Sequence, residues 1–224
     1  MEKTTKQKLN IKFILSICLV ILCCMLFLTL AILAAKDGNL GVDKAFIEFS
    51  LNIRNKVLTG FLKVFTYLGD IITLAILTIV VAIFVKPILV KIFSVINLCC
   101  AGAFSVIVKY LIKRSRPIGV SLIEETGYSF PSAHALISVV FYGFLIFLIW
   151  KFLKNKPLKI ILTVIIVIST LIVAYSRIYL GVHYFTDVIA AIIIGIAYLI
   201  SAVWAYIFIE NKIKQKKNME KNNE

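Results

Sequence analysis

The chain contains two histidines, His134 and His183, and each stands in a stretch equipped for proton or phosphoryl chemistry. In Ser176-Arg-Ile-Tyr-Leu-Gly-Val-His183-Tyr-Phe-Thr-Asp187, His183 and Asp187 are four residues apart, hence neighbours on one helical face. A carboxylate beside an imidazole fixes its tautomer and stabilises the imidazolium. Asp187 enters an otherwise uncharged apolar run, where an ionisable side chain is a functional candidate by default. A purely structural His–Asp pair between helices is the competing explanation. In Tyr128-Ser-Phe-Pro131-Ser132-Ala133-His134, Pro131 suits a first helical turn. The free N–H groups that follow and the helix dipole form an anion site. Ser132 adds a hydroxyl, and His134 can exchange a proton near neutrality. A helix start with an interface histidine would look the same.

A third stretch, Lys109-Tyr-Leu-Ile-Lys-Arg-Ser-Arg116-Pro117, places Lys109 and Arg116 seven apart. On a helix that is about two turns and one face, although Pro117 disfavours helix at Arg116. Snorkelling anchors at a helix end would explain this stretch alone. Together with Arg177, the three stretches supply cations, a helix N-terminus, one free histidine and one carboxylate-backed histidine. That set suits phosphoryl transfer without a metal. Cations hold the phosphate oxygens and stabilise the transition state. One histidine attacks and the other handles the leaving-group proton. The residues alone leave open which histidine attacks, although the carboxylate favours His183.

The elements that must position these residues are membrane helices. Of 224 residues, 61% are hydrophobic, and the mean hydropathy is +1.01. Soluble domains are nearer 45–50% apolar, and a globule of this size leaves too much surface wet to hide the excess. A bilayer-spanning helix needs about 20 mostly apolar residues. Six such runs are expected: 13–35, 69–85 extended backward by 57–68, 88–108, 133–150, 158–175 and 188–209. The first exceeds a signal-peptide core and reads as a retained anchor. Residues 43–54 alternate apolar and charged at near-helical spacing, the pattern of a short amphipathic helix at the bilayer surface. Residues 109–132, with Pro117, Gly119, Gly127 and Pro131, read as a loop. The expected fold is thus all-α: six transmembrane helices with one interfacial helix between the first and second. Its parts are an N-terminal segment 1–12, a membrane domain 13–209 and a Lys-rich tail 210–224, expected to be flexible.

The formal net charge of +14 is divided by this layout. Fifteen basic residues, all lysine, fall on the side of the two termini. Ten fall on the other side, among them all four arginines. The excess places both termini in the cytoplasm and the three stretches at the outer face. Lysine suffices for topology, whereas the planar arginine fork suits phosphate oxygens. Lys113 and Arg114 are read as solvated loop charges, the alternative being contact with a second phosphate. Nucleic acid is excluded as a partner: the lysines flank apolar spans and form no stripe interleaved with aromatics. The five cysteines lie in apolar runs without zinc-like spacing, and no Asp/Glu/His cluster forms a metal cage, so no metal or cofactor is expected. The oligomeric state is not legible.

Lys109-x6-Arg116-Pro117, Pro131-Ser-Ala-His134 and Ser176-Arg177-x5-His183-x3-Asp187 resemble the three-part signature of the type 2 phosphatidic acid phosphatase superfamily. Order and spacing are intact, and the six-span layout resembles the membrane branch. The resemblance implies a metal-independent lipid phosphatase with a phosphohistidine intermediate. It implies His183 as nucleophile, Asp187 as its orienting acid, and His134 as proton donor and then activator of water. It implies Lys109, Arg116, Ser132, Ala133 (through its N–H) and Arg177 as phosphate ligands. Undecaprenyl diphosphate, phosphatidylglycerol phosphate and phosphatidic acid are the substrates the resemblance spans, with membrane lipids as surroundings. One position departs: the motif's usual glycine is Ala133 here, which adds a methyl but keeps its N–H. A non-enzymatic lipid-phosphate binder or transporter would use the same cations but would not need the His183–Asp187 pair. A vanadate-dependent oxidase on this scaffold is disfavoured, because those relatives are soluble.

Overall fold

The computed structural model describes residues 2–36 and 40–222. Among them every regular element is helical: α1 (Glu2–Ala35), α2 (Gly41–Asn52), α3 (Lys56–Phe65), a 3-10 turn (Thr66–Gly69), α4 (Ile71–Phe84), α5 (Ile88–Ile112), α6 (Ala133–Phe152), α7 (Lys156–Tyr179) and α8 (Phe185–Asn222). Residues 11–35 of α1, and α5, α6, α7 and α8, are each long and apolar enough to cross a bilayer. The second expected span is broken. α4 has only 14 residues, about 21 Å at 1.5 Å per residue, short of a ~30 Å hydrocarbon core. It passes as a span only together with α3 and the 3-10 turn, from which it bends by 52°. Asp70 makes the break: its carboxylate accepts the Ile72 N–H at 2.8 Å and starts α4 afresh. The chain is a multi-pass membrane protein.

α6 is the central helix, packed against α5, α7 and α8, and α1 lies along α8. Ile161, Val164, Ile165, Ile168 and Leu171 of α7 are exposed, as a lipid-facing stripe should be. Lipid gives helices no hydrophobic reason to associate, so close packing matters more. Gly143 and Gly195 supply it: a Cβ at Gly143 would lie 2.3 Å from a Leu199 methyl, and one at Gly195 would lie 3.0 Å from Val139.

Two features differ from expectation at the chain's margins. Residues 211–222 continue α8 as helix. The segment is rich in good helix formers without glycine or proline, and Glu210–Lys214 and Lys216–Glu220 pair at 3.5 and 3.9 Å across one turn. The helix expected at 43–54 is present as α2, but it buries Asp43 and Ser50, so it is docked as well as amphipathic.

The site is assembled at one end of the bundle. The C-terminal ends of α5 and α7, the N-terminal ends of α6 and α8, and the 3-10 turn meet there. Two left-handed residues aim the chain. Lys113, at φ 53°, ends α5 and turns the following residues inward. Gly181, at φ 73°, ends α7, and a Cβ there would sit 2.4 Å from the Val120 carbonyl oxygen, so only glycine fits this turn. The Val182 and His183 N–H groups both donate to the Arg177 carbonyl at 3.2 Å, fixing His183 against the end of α7.

Candidate active site

His183 is 2% exposed and Asp187 is fully buried. His183 Nδ1 lies 3.5 Å from Asp187 Oδ2. Ser129 Oγ sits between them, donating to Asp187 Oδ2 and lying 3.4 Å from His183 Nδ1. The Tyr184 N–H donates to the same carboxylate oxygen at 2.9 Å. On the other edge of the ring, Arg116 Nη1 is 3.4 Å from His183 Nε2. A guanidinium can only donate, so the network assigns the proton to Nδ1 and leaves a lone pair on Nε2. Burial, partly offset by the Asp187 hydrogen bond, lowers the His183 pKa to about 4. The imidazole is therefore neutral at physiological pH, the state in which Nε2 is a nucleophile.

The cations surround this edge. Arg116 also donates to the carbonyls of Val182 at 2.8 Å and of Gly127 and Thr126 at 3.0 Å, which hold its side chain in place. Arg177 is 1% exposed. Its Nη1 donates to Thr66 Oγ1 at 2.9 Å, its Nη2 pairs with Glu125, and its Nε has no partner among the described residues. Lys109, in the last turn of α5, donates to the Tyr128 carbonyl. His134 lies in the field of Arg177, His183, Arg116 and Lys109. Ala133 and His134 are the first residues of α6, where backbone N–H groups lack intrahelical acceptors. Ser132 precedes them as N-cap; its N–H donates to the Asp187 carbonyl at 3.2 Å, while its buried Oγ has no partner among the described residues. Thus all eight residues singled out by sequence gather at one end of the bundle. Arg177 Nε and Ser132 Oγ are buried donors there without a hydrogen-bond partner among the described residues.

Four contributors are not evident from sequence. Ser129 bridges the His–Asp pair. Thr66, from the 3-10 turn, holds Arg177. Glu125 engages both Arg177 and, at 3.5 Å, Arg116. Burial raises the Glu125 pKa, but Arg177 and Arg116 outweigh it and hold the carboxyl below its usual value. Arg114 is the correction: instead of a solvated loop charge it is 3% exposed and ion-paired to Asp187 and Asp43. Lys113 is exposed, as expected. The αL turn at Lys113 rotates the next side chain into the bundle, where two carboxylates await it. The available signal was the density of charge, four cations in a nine-residue stretch; the carboxylate partners of Arg114 lie about 70 residues away in either direction.

Fold and site together define a multi-pass membrane protein with a carboxylate-backed histidine and a cluster of cations at one end of its helices. The profile of the PAP2 superfamily matches residues 89–213, and the chain belongs to that superfamily. Phosphatidylglycerophosphatase B of Bacillus subtilis (strain 168) is 35% identical over 92 residues, 40% of this chain and 45% of that protein. A protein of Escherichia coli (strain K12), provisionally named an undecaprenyl-diphosphatase, is 32% identical over 121 residues, 49% of this chain and 57% of its own. The chain thus spans about half the length of the curated relatives it matches. The crystal structure of a transmembrane PAP2-type phosphatidylglycerolphosphate phosphatase from Bacillus subtilis superposes with a TM-score of 0.69 at 25% identity, covering 85% of this chain and 96% of that one.

Proposed function

We propose that the chain is a lipid phosphate phosphatase working through a phosphohistidine on His183. The observation that carries the reading is the orientation of that ring, with Nδ1 toward Ser129 and Asp187 and the Nε2 lone pair toward the Arg116 guanidinium. Nε2 attacks phosphorus, and the phosphorus–oxygen bond to the lipid breaks. His134 gives its proton to the departing lipid oxygen. It then takes a proton from water, which attacks phosphorus, releases inorganic phosphate and restores neutral His183. Lys109, Arg116 and Arg177, with Ser132 Oγ and the Ala133 and His134 N–H groups, hold the phosphate oxygens and stabilise the charge of the transition state. The relatives' names point to phosphatidylglycerol phosphate and undecaprenyl diphosphate as substrates of this class.

The test is phosphate release by the purified full-length protein in detergent with excess EDTA. Phosphatidylglycerol phosphate, phosphatidic acid and undecaprenyl diphosphate are compared by kcat/KM. Release from at least one is expected. Binding without release would favour the binder or transporter reading, and full dependence on added divalent metal would sink the mechanism.

We also propose that the site opens at the outer membrane face with both termini in the cytoplasm. The distribution of lysines supports this. In a cysteine-free background, a cysteine at Gly119 is expected to react with an impermeant reagent in intact cells, whereas one at Asn218 is expected to react only after permeabilisation. Equal accessibility would overturn the arrangement.

A further inference from the structure

The His183–Asp187 pair does not end at Asp187. The two oxygens of that carboxylate have separate partners. Oδ2 accepts from Ser129 and the Tyr184 N–H and faces His183. Oδ1 accepts from Arg114 Nη1 at 2.5 Å. The other arm of the same guanidinium, Nη2, donates to Asp43 Oδ2 at 2.7 Å. Asp43, on α2, is fully buried, and its second oxygen accepts the Thr186 N–H at 2.9 Å in the first turn of α8. Thr186 Oγ1 lies 2.8 Å from Arg114 Nη1 and 2.9 Å from Asp43 Oδ2. The guanidinium carbon lies over the Tyr184 ring, 4.1 Å from its centroid.

This is one closed chain of charges: α2 through Asp43, the loop after α5 through Arg114, and α8 through Asp187, ending at the imidazole. A buried cation between two buried carboxylates is expensive unless it is well paired, and here each Nη of Arg114 meets one of the two carboxylates. Planarity makes the fork directional. With Nη2 held by Asp43 and the face held by Tyr184, Nη1 can meet Asp187 only at Oδ1. The carboxylate is then pinned with Oδ2 toward His183.

We infer that Arg114 and Asp43 are positioning residues for the reaction. Asp43 sets the Arg114 fork, and Arg114 fixes the rotation of Asp187, so that His183 keeps its proton on Nδ1 and its lone pair on Nε2. The helix α2, outside the three sequence stretches, thereby becomes part of the catalytic apparatus. The inference rests on the phosphatase reading for its kinetic consequence, but the tautomer is observable without turnover.

Asp43→Asn and Arg114→Lys are compared with the parent as full-length protein in detergent. The asparagine removes the charge that sets the fork, and the lysine keeps the cation but cannot span both carboxylates. With only two histidines in the chain, 15N-histidine labelling gives two ring systems, assigned by His134→Gln. The parent is expected to show His183 as a single tautomer protonated on Nδ1. In both variants the two His183 nitrogen signals are expected to move toward each other while those of His134 stay. The loss in kcat is expected to be roughly 10- to 100-fold with KM within about twofold, the range seen when an orienting outer partner is lost. Unmoved His183 signals overturn the inference, including the case where activity falls only in proportion to the folded fraction. If the parent releases no phosphate from any lipid yet the variants shift the His183 tautomer, the phosphatase reading fails and the positioning role stands.

Discussion

His183→Ala is expected to lower kcat for lipid phosphate hydrolysis by roughly four orders of magnitude or more, the scale of losing an attacking side chain. The effect is chemical, because the rest of the site has independent support. Asp187 keeps Arg114, Ser129 and the Tyr184 N–H. Arg116 keeps three backbone acceptors. The variant should therefore fold and still bind phosphate or vanadate within a few-fold of the parent. Rapid quenching under alkaline conditions with a 32P-labelled lipid should trap acid-labile phosphoprotein in the parent and none in His183→Ala. His134→Gln should still form the phosphoprotein slowly and hydrolyse it more slowly. Hydrolysis by His183→Ala at the parent rate would rule out the proposed nucleophile, as would trapped phosphate on a different residue.

The second large effect belongs to Arg177→Met. Methionine approximates the length of the side chain and removes its charge. A buried arginine poised on a transferring phosphoryl group is worth about 10³-fold or more in rate, so kcat/KM should fall by roughly that factor. Part of the loss has a separate origin. Without Arg177, the half-buried Glu125 carboxylate loses its main partner and faces the incoming phosphate with only Arg116, at 3.5 Å, to neutralise it. The double variant Arg177→Met/Glu125→Gln should therefore be more active than Arg177→Met alone, by about tenfold, the size of coupling expected for residues in contact. Glu125→Gln by itself should tighten phosphate inhibition, because the amide no longer competes for two arginines. A loss below tenfold in Arg177→Met, or strict additivity of the two changes, would remove Arg177 from the phosphate pocket. Thermal unfolding in the same detergent separates these kinetic effects from misfolding.

The candidate site was legible in the chain because its main parts are local. His183 and Asp187 are one helical turn apart, Pro131 marks the start of a helix with free N–H groups, and apolar runs of bilayer length must become helices, since lipid satisfies no backbone group. These constraints are short-range or set by the solvent, so they survive the absence of coordinates.

What only the tertiary structure decided are contacts between charges far apart in sequence. Arg114 reads locally as one more polar loop residue. Its burial depends on Asp43, 71 residues before it, and Asp187, 73 after it, and no local pattern reports such a partnership. Glu125 and Thr66 are similar: an ordinary loop acid and a threonine in a turn, until folding sets them against Arg177. The broken second span and the helical tail were decided by capping and by ion pairs across single turns, which shift element ends without changing the apolar pattern. Composition and spacing singled out the candidate residues. The fold decided which oxygen of Asp187 faces His183, because a carboxylate's rotation is set by everything packed around it.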